Sequence, residues 1–157
     1  MKWKVLDGKP IKDIVSFVTE ASKDGQEVMV GSDSLQVGKE TQVVTVVVIY
    51  TKSKGGRVAY CRDRMPRIRD LRQRLLLEAQ KSLDAALLIA PHIKGELSIH
   101  LDVNAQEEHM SSKYVKELVG YVMGMGFKAV IKPDSYVATT ISDWTVRHKG
   151  GAKKRIA

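Results

Sequence analysis

Apolar and polar positions alternate with a period of two in several stretches of the chain, and such alternation is typical of half-buried strands. The clearest case is residues 97–103, where Leu, Ile, Leu and Val alternate with Ser, His and Asp. Residues 41–50 are β-branched almost throughout, which is typical of a central strand. The strands predicted in this way span residues 27–34, 41–50, 57–61, 97–103 and 128–131.

Four other segments have a helical period. The longest repeats an apolar residue every four positions and stops before Pro91, as a helix commonly does. Serines precede two of the segments and can cap them, and Gly126 provides a C-terminal stop for one. The helices predicted in this way span residues 11–22, 69–90, 111–126 and 135–148.

The predicted order of elements is one helix, three strands, and then helix, strand, helix, strand and helix. Short glycine-containing connections join the first three strands and favour antiparallel pairing, whereas helical crossovers favour parallel pairing of the last two. The sequence therefore predicts an α/β fold with a mixed five-stranded sheet, helices on both of its faces and an extra N-terminal helix. Residues 1–148 are expected to form one domain, and residues 149–157 a basic, disordered tail.

The positive charge of the chain is concentrated in two short segments. The 157 residues carry a net charge of +8, with six arginines in residues 62–74 and five basic residues in 147–157. Such clusters suit a polyanionic partner, although solvated faces and tails are an equally simple explanation. No apolar run approaches the roughly 20 residues of a membrane helix, the N-terminus lacks the apolar stretch of a secretory signal, and one cysteine allows no internal disulfide. A cytoplasmic protein without a membrane partner is expected.

Four acidic residues lie where acids are usually unfavourable, within or at the ends of apolar elements. They are Asp33, Glu78, Asp102 and Asp143. If their two strands are parallel neighbours, Asp33 and Asp102 end at the same edge of the sheet, where packed helices could bring the other two acids. A bare cluster of this kind would repel itself, but two Mg²⁺ ions would neutralise it and would suit phosphodiester chemistry. Alternatively, each acid separately caps a helix or pairs with a nearby basic residue.

Five segments, in this order, resemble the small bacterial ribonuclease H-like family of the YkuK type. They are VGSDSLQ, LLLEAQKSLDAA, IHLDVN, VGYVMGMGF and IKPDSYVATTISDW, and the resemblance spans residues 27–148. It implies a ribonuclease H-like fold and a carboxylate site for two Mg²⁺ or Mn²⁺ ions. In that site Asp33 would touch both metals, and Glu78, Asp102 and Asp143 would be the remaining ligands and catalytic acids.

The resemblance also implies an activity, with two departures from ribonuclease H proper. One metal would activate water and the other would stabilise the leaving 3′-oxygen. The chain, however, has no histidine between His109 and His148 to aid turnover, and it lacks the basic protrusion that handles substrate. The arginine-rich segment or the basic tail would have to replace that protrusion.

Three functions are compatible with these patterns. The first is a metal-dependent nuclease that cleaves RNA or an RNA/DNA hybrid. The second is a non-catalytic nucleic-acid-binding domain of the same fold, and the third is a protein whose arginine-rich segment meets an acidic partner. The residues expected to contact nucleic acid are Arg64, Arg67, Arg69, Arg72, Arg74 and Lys132.

Overall fold

The computed structural model describes residues 2–23, 25–51 and 54–135. Its strands are β1 (Trp3–Val5), β2 (Glu27–Val37), β3 (Glu40–Thr51), β4 (Gly55–Pro66), β5 (Glu96–Asn104) and β6 (Lys128–Lys132). Its helices are α1 (Ile14–Ala21), α2 (Leu71–Ile89) and α3 (Val115–Gly124), with short 3-10 helices at Ala90–His92 and Met110–Tyr114. Within these ranges, no helix has both the length and the hydropathy that crossing a bilayer requires.

All six strands form one mixed sheet in the order β1-β4-β3-β2-β5-β6. The strands β2, β3 and β4 pair antiparallel, whereas β5 pairs parallel with both β2 and β6. This arrangement confirms the predicted mixed α/β sheet. The parallel ladder between β2 and β5 stops at the pair Gly31 and His100, although both strands continue beyond it. The continuing ends of these two strands hold the candidate site.

The predicted count of five strands is wrong, because β1 adds a sixth. Trp3 pairs with Cys61 and Val5 with Ala59, so that β1 extends the sheet beyond β4. Trp3 is only 6% exposed and joins the main core. A strand of three residues is too short to show a period of two, and its pairing with β4 defines it.

Strand β4 is also longer than the predicted 57–61, because it continues to Pro66. It therefore includes Arg62 and Arg64, the first two arginines of the basic segment 62–74. Arg62 lies opposite Val44 and Arg64 opposite Gln42 in the β3–β4 ladder. Because β1 covers only the middle of β4, the remainder of β4 is an edge, and edge strands commonly carry charged side chains. The basic segment therefore begins as part of the sheet.

The three described helices all pack in one hydrophobic core, on alternate residues of the sheet such as Val28, Val30 and Ile99. Asp13 caps α1 and Asp70 caps α2 through hydrogen bonds to backbone amides. A second cluster is built from the opposite set of strand residues, including Met29, Val46 and Tyr60. No helix of the described residues belongs to this cluster, so in this part of the chain the helices lie on one face of the sheet and not on both faces as predicted. The predicted helix over residues 135–148 and the basic tail lie outside the described residues, apart from Ser135.

His100 is a buried histidine on β5, with 5% of its surface exposed. Burial, reinforced by the charge of Lys128, lowers the pKa of its imidazole to about 4. The neutral form therefore contributes stability that is complete above the unfolded pKa of about 6.5 and is lost as the pH falls towards 4.

We expect His100→Asn to remove this pH dependence. The difference in unfolding free energy between wild type and variant should fall by up to about 3 kcal/mol between pH 7 and pH 4. Urea unfolding across this range measures the difference, with the exposed His92→Asn as the control. A difference that does not vary with pH would show that burial does not hold His100 neutral.

Candidate functional site

Asp33 and Asp102 lie just beyond the carboxyl end of the parallel β2–β5 ladder. Each lies two residues beyond the last pair of the β2–β5 ladder, which joins Gly31 to His100. Both side chains line an open cleft of about 620 Å³. The carboxyl ends of parallel strands are where ligands bind in α/β sheets, and the sequence predicted this meeting of the two aspartates.

Glu78 reaches the same cleft from α2 and is tied to β2 through Ser34. The backbone amide of Ser34 donates to Glu78 Oε1 at 2.9 Å, and its hydroxyl donates to the same oxygen at 2.6 Å. That amide also lies 2.9 Å from Asp33 Oδ1. Because both oxygens lie 2.9 Å from the same nitrogen, Asp33 Oδ1 and Glu78 Oε1 are at most twice that distance apart. Ser34 holds the two acids side by side, a role that sequence reasoning missed.

The carboxyl group of Glu78 is buried, with only 8% of the residue exposed. Burial raises its pKa to about 7, and the negative charge of Asp102 acts in the same direction. The hydrogen bonds from Ser34 and the positive charge of Arg74 oppose this increase. Without a cation, Glu78 is therefore costly to ionise and binds a proton near neutral pH.

Asp102 is held by a lysine from the neighbouring strand. Lys132 Nζ lies 2.5 Å from Asp102 Oδ1, and the pair is partly buried. The register between β5 and β6 shifts between His100 and Asn104, so that Asn104 pairs with Lys132. Asp102 lies within this irregular stretch of β5, and Lys132, at the end of β6, lies beside it.

The cleft combines these three acids with a basic rim. Arg69, Arg74 and Lys113 line it together with Asp70, Met110 and Tyr114. Asp143, the fourth predicted acid, lies outside the described residues. The structure thus brings together three of the four predicted acids, on β2, α2 and β5.

The described part of the chain contains no three His, Cys, Asp or Glu side chains that could together hold a metal ion. Two of the acids nevertheless suit a hard divalent cation, because Asp33 and Glu78 direct oxygens to the same backbone amide. Carboxylate oxygens are the ligands that Mg²⁺ prefers, and a cation would offset the cost of ionising a buried glutamate. Asp33 and Glu78, with Asp102 in the same cleft, are therefore the described residues that could contribute ligands to a divalent ion.

The residues predicted to contact nucleic acid differ in their location and in their partners. Arg64 is exposed on the edge of β4, whereas Arg74 is half-buried in the cleft. In the residues that the structure describes, Arg74 Nε is buried and has no hydrogen-bond partner. Arg72 and Lys132 instead direct their charges at acids, Arg72 at Glu117 and Lys132 at Asp102.

A second pocket, of about 590 Å³, lies beside the β2–β3 turn. It is lined by Gly38, Lys39, Arg67 and Arg69. Arg67 is anchored there, because its Nη1 donates to the Gly38 carbonyl at 2.8 Å and its amide to the Lys39 carbonyl at 3.0 Å. Arg69 lines both this pocket and the acidic cleft. Sequence reasoning missed Lys39, because it lies far from the arginines along the chain.

Comparison with known proteins supports the same fold family. The model of the family described as Ribonuclease H-like matches residues 9–147, which is most of the chain. The chain belongs to this family. Its ribonuclease H-like character agrees with the mixed sheet and with the order of strands and helices.

Two individual proteins are similar to this ribonuclease H-like chain. The uncharacterized protein YkuK of Bacillus subtilis (strain 168) is 26% identical over 140 residues, covering 78% of this chain and 80% of YkuK. The N-terminal RNase H domain of Rv2228c from Mycobacterium tuberculosis, solved as a fusion with maltose-binding protein, is 12% identical. It matches with a TM-score of 0.38 and covers 78% of this chain and 97% of that domain structure.

Proposed function

We propose that the protein is a metal-dependent nuclease that hydrolyses phosphodiester bonds in RNA or an RNA/DNA hybrid. One observation carries the proposal: Asp33, Glu78 and Asp102 line a single open cleft whose rim bears Arg69, Arg74 and Lys113. A protein that only bound nucleic acid would gain nothing from carboxylates facing phosphates. Membership of the ribonuclease H-like family supports the same conclusion.

Each acid has a proposed part in this site. Asp33 and Glu78 hold a divalent ion, with Ser34 fixing the orientation of both carboxylates through its amide. Asp102 is the proposed ligand of a second ion, and Asp143, outside the described residues, is its proposed partner. When bound, two Mg²⁺ or Mn²⁺ ions supply an activated water and stabilise the leaving 3′-oxygen.

The basic rim would position the substrate. Arg74 offers a buried guanidinium nitrogen within the cleft, and Arg69 connects the cleft to the second pocket. Lys39, Arg67 and Arg69 form no ion pair within the described residues, which leaves their charges available for phosphates. A nucleic-acid strand that crosses the three acids could thus continue into the second pocket, which Lys39 lines.

We expect Lys39→Met to weaken RNA binding about threefold to tenfold at low salt, because one phosphate contact is lost. The slope of log affinity against log salt should fall by about 1. Fluorescence anisotropy with a labelled RNA measures both quantities. Lys12→Met, which removes another exposed lysine, is the matched control. Equal losses of RNA affinity in the two variants would show that the RNA strand does not run through the second pocket.

The direct test of the proposed function is cleavage by the purified wild-type chain. Labelled RNA, single-stranded DNA, duplex DNA and an RNA/DNA hybrid are incubated with Mg²⁺, with Mn²⁺ or with EDTA. The proposal predicts metal-dependent products with 5′-phosphate and 3′-hydroxyl ends, on RNA or the hybrid. Salt-sensitive binding without cleavage under any of these conditions would instead identify a non-catalytic binding domain.

A further inference from the structure

Beside its acids, the cleft has an apolar wall of four side chains. Two of them, Leu71 and Leu75, lie one turn apart on the face of α2 that also carries Glu78. The other two, Met110 and Tyr114, come from the 3-10 helix that precedes α3. Along the axis of α2, Leu71 lies about 10 Å from Glu78, so the wall is long enough for one nucleotide beside the acids.

Met110 is the exposed member of this apolar wall. Of the large apolar side chains that the structure describes, it is the most exposed, at 73%. Its segment is nevertheless anchored, because the Asn104 amide donates to the Ser111 hydroxyl and the Ser112 amide donates to the His109 carbonyl, each at 3.1 Å. An exposed methionine is stabilised when apolar surface covers it, and its flexible side chain adapts to irregular surfaces. The position of Met110 therefore suits a ligand with an apolar face.

The other members of the apolar wall are held by the body of the protein. Leu75 is only 7% exposed, and Leu71 and Tyr114 pack against the main hydrophobic core. The guanidinium of Arg72 donates two hydrogen bonds to the carboxylate of Glu117, which joins the first turn of α2 to α3. These contacts form the wall before any ligand binds, so that little conformational entropy is lost when one does.

A ligand that fits the whole cleft carries both an anionic group and an apolar face. Arg69, Arg74 and Lys113 line the same cleft, and their charges suit a phosphate. A nucleobase has two apolar faces, which stack on aromatic and other side chains in sites for single-stranded nucleic acid. Inside a duplex, neighbouring bases cover these faces. The apolar wall can therefore contact the face of a base only where the strand is unstacked.

We propose that the apolar wall is a nucleobase subsite, in which Met110 and Tyr114 contact the face of one unstacked base beside the bound phosphate. This inference rests on the proposed nuclease function and narrows its substrate to RNA that is single-stranded at the cleft. An RNA/DNA hybrid, whose bases remain stacked, contacts the cleft through its backbone.

Binding of RNA to Met110→Ser tests the subsite without any measurement of cleavage. Met123→Ser is the matched control, because Met123 is also exposed, at 62%, but lies on α3 outside the cleft. Fluorescence anisotropy in Ca²⁺ gives affinities for a labelled RNA and for the same strand annealed to complementary DNA. We expect Met110→Ser to weaken binding of the single-stranded RNA about fivefold to tenfold, and Met123→Ser to leave it unchanged. The affinity for the hybrid should change in neither variant, and the salt dependence should stay that of wild type because no charge is lost.

Two results would overturn the subsite and leave the proposed nuclease function intact. The first is equal affinity of Met110→Ser and Met123→Ser for single-stranded RNA. The second is an equal loss of affinity for single-stranded RNA and for the hybrid, because Met110 would then contact the backbone and not a base. If wild type binds neither nucleic acid, the subsite and the proposed function fail together.

Discussion

Asp33→Asn should lower Mg²⁺-dependent cleavage by at least about 10²–10³-fold, the cost of losing one well-placed electrostatic contact to the reacting groups. The substitution removes the negative charge that would hold the first ion. It keeps the shape of the side chain, and the amide oxygen of asparagine can still accept the 2.9 Å hydrogen bond from the Ser34 amide. The fold and nucleic-acid affinity should therefore remain close to those of wild type.

Three measurements define this result. Single-turnover cleavage of a labelled RNA/DNA hybrid gives the rate, anisotropy in Ca²⁺ gives binding, and thermal unfolding reports on the fold. Asp84→Asn, which neutralises an exposed acid on α2, should cleave like wild type. If Asp33→Asn cleaves at the wild-type rate, the activity belongs to another site or to a contaminating enzyme.

Glu78→Gln should stabilise the metal-free protein at pH 8 by up to about 3 kcal/mol. Because burial raises the folded-state pKa of Glu78 to about 7, the folded protein favours the protonated carboxyl. Its contribution to stability is complete below the unfolded pKa of about 4.5 and is lost as the pH rises through 7. Glutamine stays neutral throughout and avoids this loss.

Urea unfolding from pH 4 to pH 8, in EDTA and then in Mg²⁺, measures the effect. The variant should match wild type near pH 4 and exceed it near pH 8. Mg²⁺ should stabilise wild type more than the variant, because the ion needs the ionised carboxylate. Glu20→Gln, an exposed glutamate on α1, should show neither effect. A pH-independent difference would mean that Glu78 is ionised at no cost in the folded state.

The placement of the acids could be predicted from the sequence because it depends on strand direction. Asp33 and Asp102 each follow a run of apolar strand residues, and a parallel pairing necessarily brings such ends together. Glu78 could be predicted from its position at the edge of the apolar arc of a long helix. These positions follow from the periodicity of each strand and helix, and predicting them needs no knowledge of side-chain contacts.

The contacts that tune the site could not be predicted in this way. The lysine at Asp102 depends on the register shift between β5 and β6, which no periodicity reveals. Ser34 supports both neighbouring acids only because α2 crosses β2 at that residue. Likewise, β1 is too short for its pattern to be visible. The arginine-rich end of β4 has the composition of a loop, and only its pairing with β3 shows that it is a strand.

Anomalous diffraction from crystals soaked in Mn²⁺ tests the central claim most directly, because it locates the ion without reference to activity. The account predicts a peak in contact with carboxylate oxygens of both Asp33 and Glu78, near Ser34. Asp33→Asn crystals under the same conditions should lose that peak. Absence of the peak in wild type at saturating Mn²⁺, with the cleft open to solvent, would contradict the assignment of these acids as a metal site.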